Sequence, residues 1–166
     1  MLTNSTNIGV TLRNDLHQDT LLTANGATQN TKFLIDLFLS LGLNAFLIAN
    51  EATPQQRLTI AGNHYRAYSM DDVGMGKITP DLVFEPSFIV PTEQREHWRT
   101  SFATKFITIH YGNMMLMDIE EIFLRRNMHG HIYRQDADEV WISPHHQHAQ
   151  GYFETIYPSC PVKTCP

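Results

Sequence analysis

The chain has 166 residues, 42% of them hydrophobic and 17% charged, with a formal net charge of −5. That is the size of one domain, able to bury roughly 70% of its unfolded surface without disulfides or metals. No basic run is longer than Arg125–Arg126, which argues against a broad phosphate-tracking surface, so no nucleic-acid partner is expected.

Residues 1–6 are polar, and no basic segment precedes an apolar core, so no signal peptide is expected. Asn7 to Leu12 (NIGVTL) predicts a first strand, with Gly9 permitting close backbone approach. Residues 13–29 read as a long polar loop with an Asn25-Gly26 turn signal. Phe33, Leu34, Leu37, Phe38 and Leu41 then fall on one face of a helix. Thr28 or Asn30 is placed to cap its start, and Gly42 to cap its end. Asn44 to Ala49 (NAFLIA) follows as a buried strand, which completes a right-handed, parallel strand–helix–strand unit.

Leu58 to Ser69 predicts one or two short strands around a Gly62-Asn63 turn. Asp81 to Glu85 (DLVFE) reads as a strand, Pro91 to Thr100 as a polar surface helix, and Lys105 to His110 (KFITIH) as a buried strand. Met115, Leu116, Ile119, Ile122 and Phe123 repeat a helical spacing. Glu139 to Ile142 is a short strand, after which Ser143-Pro144 opens a helix whose apolar face is Ala149, Phe153 and Ile156. Pro158, Pro161 and Pro166 punctuate the end. Alternating strands and helices give the expected class: a single α/β domain over residues 1–166, an open, mostly parallel Rossmann-like sheet with helices on both faces.

The apolar stretch from Phe33 to Ala49 is broken by Asp36, Ser40, Gly42 and Asn44. A spanning helix needs about 20 nearly uninterrupted apolar residues, so no membrane span is expected and the protein reads as soluble and cytoplasmic. Cys160 and Cys165 are accordingly read as reduced thiols.

Ligands of open parallel sheets bind beyond the C-terminal ends of the strands, which nominates three segments. The first holds Asn25, Gly26, Thr28, Gln29 and Asn30, ahead of a helix N-terminus suited to an anion; a plain capped turn is the alternative. The second is His110-Tyr111-Gly112-Asn113, where a histidine ending a strand is a candidate catalytic base or a side chain satisfied by its neighbours. The third is Pro144-His145-His146-Gln147-His148. With His129 and His131 it invites a metal, but the spacing lacks HExxH and a nearby cysteine, so no metal site is assigned. No GxSxG nucleophile motif occurs. Asp136, Asp138 and Glu139 read as a solvated acidic group.

Several segments together resemble a known family: Asn25 to Asn30 (NGATQN), Asp81 to Glu85, Ile107 to Asn113 (ITIHYGN), Val140 to His145 (VWISPH) and Tyr157 to Pro166. In this order they are similar to the N-terminal half of a bacterial glycosyltransferase-like family of unknown function, of the two-Rossmann (GT-B) class. The resemblance implies an acceptor-side domain that holds a sugar or glycan acceptor, with the nucleotide-sugar donor carried by a second domain. Asn25, Gly26, Gln29, Asn30, Gly112, Asn113 and His145 fall on its motifs as ligand-binding positions, while His110 departs from the pattern. No cofactor is implied. Pro166 falls about where the family's linker enters the second domain, so the chain alone is expected to be inactive. The competing readings are a stand-alone ligand- or partner-binding Rossmann-like module and a small nucleotide-dependent enzyme.

Overall fold

A computed structural model of the chain describes residues 5–13, 26–50, 57–60, 62–87, 89–110 and 135–165. The chain divides into two compact units, Met1–Lys105 and Phe106–Pro166. The helix expected around Met115–Phe123 lies outside the described residues.

In the first unit, β1 (Asn7–Leu12) leads to α1 (Gly26–Ser40) and β2 (Asn44–Ala49). A hairpin of β3 (Arg57–Ile60) and β4 (Asn63–Ser69) follows, then the short α2 (Met70–Gly74). β5 (Leu82–Glu85) and α3 (Thr92–Phe102) come next. The strands are ordered β3-β4-β2-β1-β5. β4, β2, β1 and β5 run parallel, and only β3 is antiparallel, across the Gly62 turn. This is an open, mostly parallel Rossmann-like α/β sheet.

The register sorts side chains to two faces, because neighbours paired in a parallel sheet point the same way. Val10 pairs with Leu47 and with Phe84, and Phe84 meets Phe38 of α1 at a ring distance of 4.8 Å. Glu85, one residue on, points to the opposite face and forms a fully buried ion pair with Arg95 of α3. Helices therefore cover both faces, and the central strand is buried almost throughout. Gly9 is needed in that strand: a Cβ there would lie 2.5 Å from Ile48 Cδ1.

The ends of α1 and its rotation differ from expectation. The helix begins at Gly26, so Thr28 and Asn30 lie inside it and do not cap it. Its buried face is Thr28, Thr31, Leu34, Ile35 and Phe38, while Phe33, Leu37 and Leu41 are exposed. The rotation is fixed by polar contacts. Thr31 Oγ1 donates to the Thr11 carbonyl at 3.0 Å, and Tyr65 of β4 donates to Asp36 at 2.7 Å. At the far end Gly42, at φ 72°, closes a Schellman cap in which Leu43 N bonds the Phe38 carbonyl at 3.0 Å.

The helix over Thr92–Phe102 is polar outside, as its sequence suggests, but it is more than a surface helix. Arg95 and Trp98, one turn apart, are fully buried. α2 was not anticipated; it is held by a capping box in which Ser69 and Asp72 exchange hydrogen bonds with each other's backbone.

The second unit is built on β6 (Lys105–His110), β7 (Glu139–Ile142) and β8 (Val162–Thr164), parallel and in that order. Between β7 and β8 run a 3-10 helix, Pro144–Ala149, and α4 (Gln150–Ile156). Ala149 and Phe153 are buried as expected. β8 is an additional strand where only proline punctuation was expected. It is held by ladder bonds such as Cys165 N to the Ile142 carbonyl at 2.8 Å.

Candidate functional site

β2 is added to one side of β1, and the chain later returns to lay β5 on the other. The winding reverses between β1 and β5, and in such sheets the crevice beyond the carboxyl ends of those strands is where ligands bind. Here that edge carries three hydroxyls and a buried ion pair.

Thr11, the penultimate residue of β1, is fully buried. Its Oγ1 donates to the Ser87 carbonyl at 2.5 Å and accepts from Ser87 N at 3.2 Å. Its own carbonyl takes the Thr31 hydroxyl. These bonds tie the segment after β5 and the second turn of α1 to the end of β1. Ser87 is 6% exposed, and its Oγ is a buried hydroxyl with no hydrogen-bond partner among the described residues. An unmet buried hydroxyl costs about 1–3 kcal/mol. Thr11 and Ser87 hold the backbone in place, and the Ser87 hydroxyl is left over.

The start of α1 adds the first helical N–H groups, which have no partners within the helix. No acidic residue occupies its first turn. Gln29 is exposed and Asn30 half-exposed. Exposed Arg13 follows β1 directly, and below the edge the Glu85–Arg95 pair is sealed from solvent at both ends. The edge therefore offers hydroxyls and amides beside the exposed Arg13 cation, with the buried Glu85 and Arg95 charges matched to each other.

In the second unit His110 ends β6 and is 2% exposed. Its Nε2 lies 2.7 Å from Tyr157 Oη, and its ring packs on Phe153 and Tyr157 at 5.4 and 5.6 Å. Burial pushes the imidazole down to about 4, so it is neutral at pH 7. The histidine is thus engaged by a tyrosine side chain, where the sequence favoured a histidine satisfied by neighbouring backbone over a catalytic base. His145 is exposed on the 3-10 helix. Beside it, burial and the neighbouring His148 and His145 lower the His146 pKa. The His146 and His148 rings stand 6.4 Å apart. Among the described residues, no group of three or more metal-ligating side chains is gathered.

Of the expected positions, Gly26, Gln29 and Asn30 come together on the first turns of α1. His110 and His145 belong to the second unit, and Asn25, Gly112 and Asn113 lie outside the described residues. Sequence reasoning missed Thr11, Thr31, Ser87 and the Glu85–Arg95 pair. One signal was available: a glutamate closing the apolar run DLVFE requires a buried cation, and the Arg95/Trp98 spacing supplies it.

A family profile described as "Protein of unknown function (DUF2827)" matches residues 8–166. The chain belongs to the DUF2827 family. The match takes in every described strand and helix, apart from Asn7 at the start of β1. No curated protein matches this DUF2827 chain. Among its described residues, no helix is long and apolar enough to cross a membrane.

Proposed function

We propose that this chain is the acceptor-holding domain of a cytoplasmic sugar-transfer system, binding a sugar or glycan in the crevice between the ends of β1 and β5. The observation that carries the reading is the buried Ser87 hydroxyl, which has no partner among the described residues, at an edge where Thr11 and Thr31 fix the backbone. A hydroxyl-rich ligand suits the accessible Gln29 and Asn30 amides, each of which both donates and accepts, and satisfies the Ser87 hydroxyl once the edge opens to admit it. The buried Glu85 and Arg95 charges are matched to each other, so they add no net charge to the crevice. The donor nucleotide-sugar belongs, in this reading, to a second domain.

A second reading follows from the first turn of α1, which lacks any acidic side chain and so favours an anion. It makes the chain a nucleotide-phosphate binder. Amide-resolved NMR titration separates the two. Neutral mono- and disaccharides are expected to shift the amides of residues 11–13, 28–31, 87 and 89, and Ser87→Ala is expected to weaken that binding about tenfold. Shifts with nucleoside diphosphates alone would select the phosphate reading. Sugar-induced shifts confined to residues 57–66 would overturn the site.

A further inference from the structure

Helix α1 carries more apolar surface than its sheet uses. At about 100° per residue, Phe33, Leu37, Leu41, Leu34, Phe38, Ile35 and Leu39 sweep roughly 240° of its circumference. A helix covering one face of a sheet ordinarily keeps its outer face polar. Here Leu34, Ile35 and Phe38 are buried, while Phe33 is 64%, Leu37 37% and Leu41 61% exposed. Phe33 and Leu37 lie one turn apart on α1, and Leu41, the first residue past its end, is bonded back to the Leu37 carbonyl at 3.1 Å, so the three form one stripe with a spacing of four.

We propose that this stripe is a self-association surface, on which α1 packs antiparallel against α1 of a second copy of the chain. Three observations select a second copy. The first is spacing. Leu37 lies midway between Phe33 and Leu41, so a two-fold axis at Leu37 sets each Phe33 against the partner's Leu41. An isologous contact requires that self-complementarity.

The second is charge. A two-fold contact brings like next to like, which is tolerated only where the patch carries no net charge. On the exposed side of α1 the charges are Lys32 and Asp36, and they bond each other at 2.5 Å. Asp36 also takes the Tyr65 hydroxyl. Nothing remains on that helix face to steer an oppositely charged partner.

The third is area. At these exposures the three side chains offer on the order of 300 Å² of apolar surface, the lower end of the range for the largest patch on an ordinary monomer. As the centre of an interface of about 800 Å² per partner, with Gln29, Asn30 and Ser40 at its rim, it suits a small dimer. Gln29 and Asn30 also belong to the proposed ligand edge, so association is read on the ligand-free chain, where it tests the stripe separately from the function proposed above.

Sedimentation velocity on the full chain between about 5 and 500 μM tests this. The expected result is a concentration-dependent shift from one-chain to two-chain mass, abolished by Leu37→Asp, which sets two carboxylates on the two-fold axis. Leu37 is on the surface, so far-UV circular dichroism of L37D should match the parent. Independently, Leu37→Cys should give a disulfide-linked dimer under mild oxidation at least ten times faster than Leu39→Cys, which is exposed on another side of the helix. A chain that stays monomeric at 500 μM overturns the proposal. So does a dimer that survives L37D, or equal cross-linking from positions 37 and 39.

Discussion

His110 shows how one side chain couples packing to pH. An unfolded histidine takes up its proton near pH 6.5, whereas the buried ring does so only at about 4. Between those values the unfolded chain binds more protons, so stability rises with pH across this window. It is full above about pH 7 and falls progressively as the solution is acidified. A shift of this size corresponds to roughly 3 kcal/mol. Urea unfolding at pH 7.5, 5.5 and 4.5 should show the loss, and His110→Phe should flatten it. Asp36 and Asp72, whose carboxyls are held low by partners, act below this window. For Asp36, burial pushes the pKa up, but hydrogen bonds from Lys32 and Tyr65 outweigh it. An unchanged slope in the His110 variant would show that another group titrates.

At the level of elements, helix ends offer the clearest stability handles. Ala103 closes α3 in the left-handed region, at φ 57°, while its N–H caps the Arg99 carbonyl. A non-glycine residue there is strained by about 1 kcal/mol. Ala103→Gly should therefore raise the unfolding free energy by about 0.5–1 kcal/mol, and Ser69→Ala, which removes the α2 capping box, should lower it by about 1 kcal/mol. Chemical denaturation of the two variants checks both signs. The same elements show what could be read in the sequence. β1, β2, β5, β6 and β7 were legible because short apolar, β-branched runs sit between turn signals. The buried face of α1 was not, because its apolar arc is wider than one face and hydroxyl contacts from Thr31 choose the rotation. β8 was hidden because three residues between prolines carry no periodicity of their own; their order comes from pairing with β7. At the candidate site, the α1 start was visible as a turn and helix signal. Thr11 and Ser87 were invisible, being 76 residues apart in sequence and joined only by the β1–β5 pairing.

At the scale of the whole molecule, transfer chemistry needs two reactants aligned and water kept out. In the proposed reading this chain supplies one side of that arrangement. The isolated 166-residue chain is therefore expected to turn over no nucleotide-sugar above the buffer rate while still binding neutral sugars. Product analysis by mass spectrometry beside the NMR titration checks both halves. Robust turnover, lost in His110→Ala, would move the assignment to a small self-sufficient enzyme.

The placement of β1 bears on how the chain is made. Of the described strands, the first to be synthesised is a central one, flanked by β2 and β5. Ile8 pairs with Ala45 on one side and with Leu82 on the other. At about 5–20 residues per second of synthesis, its second flank stays open for several seconds after its first is covered. During that interval β1 presents an apolar, unpaired edge that can recruit strands from neighbouring chains. Overproduction of this protein should therefore lose material to aggregation during synthesis more than during storage. Slowing translation should not help, whereas lowering the number of nascent chains should.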